Sequence, residues 1–329
     1  MKNLKPYFKI RIGSETFESS IGGDVISIWL NLDMDKPAGA FEIVMSKSNK
    51  TARIKKGDDV SIELGYEDNL TNVFKGNVES IEPSISKIKI TGFNIASKLL
   101  RLRVNQVYEN QCAGEIVADL ARRAGVKEEE ISNGLSFPMY AIDSTKNAYE
   151  HMRDLAEKCG YEVYVTSENK LVFKKYERNE RKKPIVLEYG RDILNIELYD
   201  FKPSIANVAV RGESPASFKG ASTSHWLTKR QIEGVAEAET GNGTALLLHE
   251  PTVKDKDTAE KVAKARLLAL TRTSYGNVKI IGKAEVKLGD TIEIKDTPDV
   301  KLNGEFEVHS VEHFLSKTKG YTTLLGLRK

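Results

Sequence analysis

Over the first hundred residues, apolar side chains recur at every second position. Phe8, Ile10 and Ile12 alternate with Lys9 and Arg11; Val60, Ile62 and Leu64 with Ser61 and Glu63; Ile88 and Ile90 with Lys87, Lys89 and Thr91. A period of two with polar alternates predicts strands that bury one face. The period then changes. Ala113, Ile116, Val117, Leu120, Ala121 and Ala124 make a helical stripe closed by Gly125. Ala148, Met152, Leu155, Ala156 and Cys159 make a second, with Ser144 as its N-cap and Gly160 as its terminator. Tyr161, Val163 and Val165 alternate next, and a turn leads into Leu171 and Phe173, giving a small helix–helix–hairpin unit. The charge run from Glu177 to Lys183 reads as a solvated boundary. Alternation resumes at Leu194, Ile196 and Leu198 and again at Val208 and Val210. Residues 212–256, rich in Gly, Ser, Thr, Ala and Glu, read as a long excursion with little periodicity. One more helix follows Thr258, with Ala259, Ala263, Leu267 and Leu270 on one face.

Part of this pattern occurs twice. Val78, Ser80, Glu82, Ser86 and Lys87 match Val308, Ser310, Glu312, Ser316 and Lys317 without a gap, and Ile81 and Ile85 meet Val311 and Leu315. Upstream, Gly57-Asp58 corresponds to Gly289-Asp290, each entering an alternating segment. In both copies the apolar spacing slips from two to three, Val78 to Ile81 and Val308 to Val311, which predicts a bulge at the same place. A strand buried on both faces would give the same spacing. One β module built twice is the economical reading; chance likeness between two alternating segments is the bland one.

At 329 residues the chain is long enough for two or three domains. The 50 basic residues against 47 acidic ones leave a net charge of +3, which gives no bulk-charge case for a nucleic-acid binder. No apolar run approaches a membrane span, and the charged start predicts synthesis in the cytoplasm. Two cysteines, Cys112 and Cys159, are present. Cys159 falls on a helix stripe, as an inert buried thiol would.

No phosphate-binding loop, dinucleotide fingerprint, zinc-protease helix, Cys-x-x-Cys or nucleophile elbow occurs, so no catalytic, cofactor or metal residue is assigned. His309 and His313 lie in a strand pattern, where four residues span roughly 13 Å, too far to share one ion. Glu128-Glu129-Glu130 reads as a solvated acidic run before a loop. Arg101, Arg103, Arg122 and Arg123 lack interleaved aromatic residues that would stack bases. His225-Trp226 suits either a partner anchor or local packing.

In order along the chain stand a strand region, Ala156-Glu157-Lys158-Cys159-Gly160-Tyr161 running into a hairpin, a helix at 258–272, Leu288-Gly289-Asp290-Thr291-Ile292, and a tail from Gly304 through Gly320-Tyr321-Thr322-Thr323. Together they resemble the late control protein D family of contractile phage tails, whose members also resemble the base of VgrG spike proteins. The resemblance implies an α+β, mainly β fold: a tube-like β-barrel over 1–105, a small α/β domain over 106–182, and a second tube-like barrel over 183–329 that carries the 212–256 excursion. It further implies a baseplate hub, a homotrimeric ring of quasi-six-fold symmetry joining a hexameric inner tube to a trimeric spike. Its partners would be the spike on a separate polypeptide, a tail tube or tube-initiator protein and baseplate wedge proteins, with nucleic acid only as lumen cargo. The place of work would be a tail baseplate or tail-like particle, with no catalysis. Two other readings stand beside it: a tail-associated cell-wall hydrolase with carboxylates not yet located, and a receptor- or glycan-binding module.

Overall fold

The computed structural model describes residues 5–19, 23–67, 69–176, 183–200, 204–213, 231–238, 243–272 and 274–329. Most of the charge run, His225-Trp226 and residues 214–230 of the excursion lie outside the described residues. The protein is mainly β, with four α-helices among the described residues.

Seven strands come first: β1 (Pro6–Ile12), β2 (Glu15–Glu18), β3 (Val25–Asp33), β4 (Ala40–Ser46), β5 (Asp59–Tyr66), β6 (Asn69–Pro83) and β7 (Lys87–Phe93). They pair in the order β3-β4-β7-β6-β5-β1-β2. Ile10, Ile28, Ile43, Ile62, Phe74 and Ile90, from six of these strands, share one buried cluster, so the sheet curls around a single core. The alternation read from the sequence is the alternation of this inner face.

The middle of the chain packs separately. It comprises α1 (Ala96–Arg101), β8 (Gln106–Cys112), α2 (Ala113–Ala124), β9 (Lys127–Ile131), β10 (Ser136–Ile142), α3 (Ala148–Cys159), β11 (Glu162–Val165) and β12 (Lys170–Lys174). The stripes of α2 and α3 meet in one cluster with Phe137, Leu171 and Phe173. Both helices end on a left-handed glycine, Gly125 (φ 67°) and Gly160 (φ 68°). The N-cap of α3 is Asn147, not Ser144: its side chain accepts the Glu150 N–H while Glu150 accepts that of Asn147. The acidic run 128–130 is exposed and a loop follows it at 132–135, but the run itself is strand β9, which pairs in parallel with β12.

The second half contains β13 (Ile185–Glu188), β14 (Ile193–Asp200), β15 (Ile205–Glu213), β16 (Gln231–Glu237), β17 (Thr244–Glu250), α4 (Lys256–Leu270), β18 (Ser274–Ile281), β19 (Thr291–Lys295), β20 (Gly304–Ser316) and β21 (Gly320–Arg328). Six of these pair as β14-β18-β21-β20-β19-β13 around their own core. The stretch read as an aperiodic excursion holds β16 and β17. With β15 and α4 they build a small unit that buries Val208, Val210, Val262 and Ala263.

The seven-strand first module and the six-strand second module are not two closed barrels. Strand β20 pairs with β19 over its first residues and with β3 over Ser310–Ser316, so thirteen strands form one continuous open sheet among the described residues.

Candidate functional site

Gly57, Asp58, Val78, Ser80 and Glu82 occupy places in the first module that match those of Gly289, Asp290, Val308, Ser310 and Glu312 in the second. Gly57 (φ 89°) and Gly289 (φ 77°) both take a left-handed backbone that glycine adopts without strain. Gly57 N–H donates to the Val78 carbonyl (2.8 Å) and Val78 N–H to the Asp58 carbonyl (2.9 Å); Gly289 and Val308, then Val308 and Asp290, repeat both bonds at 2.8 and 2.9 Å. Each aspartate closes its own turn. The Asp58 carboxylate accepts from Lys55 N–H (2.8 Å) and Asp290 from Lys287 N–H (2.9 Å). The ladder then slips between Val78 and Ser80 in one module and between Val308 and Ser310 in the other, which accounts for the slipped apolar spacing.

The equivalence extends past the repeated sequence. The β3–β4 ladder slips between Val25 and Ser27, and β14–β18 between Ile193 and Asn195. Following the registers outward from the repeat puts Val25 over Ile193, Ile28 over Ile196 and Leu30 over Leu198. The outer strands differ, since β1 joins β5 antiparallel whereas β13 joins β19 parallel.

Surroundings separate the two copies. Val311 and Leu315 are buried, and Leu315 sits in the first module's core opposite Ile28. Glu312 lies between Leu324 and Asn31 in the ladder. In the first copy Ile81 is half-buried, Glu82 is exposed and bound to Lys89 (2.8 Å), and Ile85 is 99% exposed.

An ion cluster that no sequence pattern announced ties these parts together. Arg328, buried at the end of β21, donates from Nε and Nη2 to the Glu307 carboxylate, both at 2.8 Å, and from Nη2 to Glu162 of the middle unit at 2.5 Å. Arg272, just after α4, reaches the same Glu162 oxygen at 3.1 Å. Burial pushes the Glu307 carboxyl up, against the opposing pull of Arg328. Burial works against the Arg328 charge, yet the bonds and charges of Glu307 and Glu162 outweigh it and hold the guanidinium protonated.

The histidines have separate surroundings. His313 is buried, its Nδ1 2.9 Å from Thr323 Oγ1 and 3.0 Å from Tyr321 Oη, and desolvation lowers its pKa to about 3. His309 lies 3.9 Å from Asp35 and is also lowered, chiefly by burial. Cys159 is a free thiol that accepts from Leu135 N–H, and burial pushes it up to about 11. Arg122 and Arg123 pair with Asp119, and Arg101 with Glu79. A cavity of about 300 Å³ lies against the Gly289-Asp290 turn, lined by Leu32, Asn72, Tyr164, Lys174 and His313 among others. Among the described residues no group of three or more His, Cys, Asp or Glu is placed to hold a metal ion, and no helix is long and apolar enough to cross a membrane.

Residues 26–317 match the family described as the Alg8 N-terminal domain, Alg8_N. The chain belongs to that family. No curated protein matches it. Among solved structures, it is similar to the 43 kDa tail protein of prophage MuSo2 from Shewanella oneidensis, with 15% identity, a TM-score of 0.73 and 98% of each chain covered. It is equally similar to a tail protein from Neisseria meningitidis MC58, with 14% identity, a TM-score of 0.73, and 99% of this chain and 97% of that one covered. An Escherichia coli component of the type VI secretion system, itself described as similar to the T4 bacteriophage tail proteins gp27 and gp5, matches at 10% identity and a TM-score of 0.59, covering 97% of this chain and 76% of that one. At such identities the likeness is one of fold. Members of the Alg8 N-terminal domain family thus include a chain with the fold of phage tail proteins, a coarser relation than membership of the late control protein D family.

Proposed function

We propose that this chain is a structural, non-catalytic hub of a contractile tail or contractile injection system. In this reading three copies close a ring in which each chain contributes two tube-like modules, so six similar modules surround one axis. A ring of that kind matches a hexameric inner tube, or its initiator protein, on one side and a trimeric spike on the other. Baseplate wedge proteins contact its outside, and nucleic acid is at most cargo in its lumen. The observation that supports this best is that five strands of each module match in order and share two bulges, the modules being already joined in one chain through β20 and β3. The fold of the tail proteins and of the secretion-system component agrees with it.

Imaging of the chain with its cognate spike or tube protein tests the reading. Three copies around an open axis are expected. Two-fold packing, six copies of this chain, or a closed axis would overturn it. A peptidoglycan turbidity assay addresses catalysis, and clearing above a buffer control would favour a hydrolase.

A further inference from the structure

The sheet has two open stretches that correspond to the two sides of its internal seam. Within the chain, β3 of the first module pairs with the second half of β20, and Leu315, 6% exposed, is buried opposite Ile28. The counterpart of that half of β20 is residues 80–86, the end of β6 and its turn. Strand β5 covers β6 only from Asn69 to Asn77, so beyond that point β6 has β7 as its one described neighbour. The counterpart of β3 is β14, the terminal strand of the sheet order, with β18 as its one described neighbour. Both halves of a second seam therefore exist in each chain and both are open, one of them as strand over residues 80–83 and as the hairpin turn over 84–86.

Resting on the ring reading above, we propose that β14 of one copy adds as an antiparallel strand to residues 80–86 of the next copy, in the register of the internal seam. That register sets Ile81 opposite Asp200, Glu82 opposite Tyr199, Ser84 opposite Glu197 and Ile85 opposite Ile196. Ile85, 99% exposed in the isolated chain, then fills the place that Leu315 fills in the first module, against the half-buried Ile196 and Leu198 at the edge of the second core. No like charges face each other directly across the seam. A fully exposed isoleucine and an open strand edge are liabilities that a paired partner removes.

Pro83 shapes the seam. Ser84 N–H donates to Lys87 within the hairpin, so the preceding residue faces the open edge, where proline offers a carbonyl but no N–H. The seam between copies therefore carries one backbone bond fewer than the internal one, and the edge resists pairing with arbitrary strands.

Two full-length variants, Ile85→Cys and Ile196→Cys, carrying different tags, test the register. Directly opposed residues of an antiparallel pair are about 5.5 Å apart at Cα, within disulfide reach. Mixed and oxidised at high concentration, they are expected to link to each other at least tenfold more than either variant alone or than Ile85→Cys mixed with Ile281→Cys. A third variant, Ile85→Asp, is expected to keep its fold, because the side chain touches nothing in the monomer, and to lose self-association by mass. If copies assemble into three-fold rings but the mixed pair shows no preferential link and Ile85→Asp assembles normally, the strand pairing is wrong and the ring reading stands. If the pair links but imaging shows another symmetry, the seam stands and the ring falls. Neither link nor assembly at any concentration overturns the seam.

Discussion

Arg328 grips the Glu307 carboxylate at both oxygens, with Nε and Nη2 each 2.8 Å from one of them, and both residues are buried. The pair sits where β20 and β21 meet the middle unit, because Arg328 also bonds Glu162. Removing the cation alone leaves a desolvated carboxylate without its partner. Arg328→Met is expected to cost about 3–5 kcal/mol in urea unfolding. Glu307→Leu combined with it is expected to recover part of that loss. Equal losses that simply add would show that the two do not act as a pair.

The two Gly-Asp turns make the same bonds in different surroundings, which yields a graded expectation. An added Cβ at Gly57 meets no atom within 4 Å, whereas at Gly289 it meets Tyr164 Oη at 3.4 Å. Gly57→Ala and Gly289→Ala should each cost about 1–2 kcal/mol from their left-handed backbones, since a contact of 3.4 Å is an ordinary one. Asp58 is half-buried and Asp290 buried. Asp58→Ala is expected to cost about 1 kcal/mol and Asp290→Ala about 1.5–3. Thermal unfolding of the four variants checks the order; a costlier substitution at position 58 than at 290 would contradict it.

Strands and helices were legible where the deciding forces are local. Phe8, Ile10 and Ile12 alternate because one face of β1 meets the core, and Gly125 and Gly160 end helices because few residues accept positive φ. The correct cap of α3 was also readable, since Asn147 and Glu150 have capping-box spacing; Ser144 is three residues too early. The bulges were visible as a slip in spacing at Val78 and Val308. Elements decided by distant partners were not legible. Glu128–Glu130 look solvated, and they are exposed, yet β12 supplies a parallel ladder that makes them a strand. Likewise, β16 has its place because β15 offers an edge and α4 packs over both. The joining of the modules through β20 and β3 depends on residues nearly three hundred positions apart in sequence, and Arg328 gives no local sign of the carboxylates it reaches.

His313 gives the protein a calculable acid response. Buried in the seam opposite Leu30, it stays neutral, with a pKa near 3 against about 6.5 in an unfolded chain. As pH falls below 6.5 the unfolded state takes up the proton first. This contribution is therefore complete above pH 6.5 and is lost on acidification, at about 1.4 kcal/mol per pH unit. Denaturant unfolding between pH 7.5 and 4.5 should show a steeper decline for the native chain than for His313→Gln. Identical slopes would mean that His313 is protonated within the fold.

Leu315 and Ile85 are equivalent by sequence but opposite in exposure, at 6% inside strand β20 and 99% in the turn that follows β6. In the isolated chain only Leu315 has a core to lose. Leu315→Ala removes a branched side chain from the contact with Ile28 and the first module's cluster, and should cost about 2–5 kcal/mol. Ile85→Ala should change stability by less than about 0.5 kcal/mol, as surface substitutions do. The contrast should narrow under conditions where copies associate, since Ile85 then acquires a core of its own. Melting both variants across a range of protein concentrations measures this directly: the Leu315→Ala deficit is expected to appear at every concentration, and the Ile85→Ala deficit to grow with it. A deficit for Ile85→Ala that is already large in dilute solution would place that side chain inside the monomer and remove the reason for pairing it with a second copy.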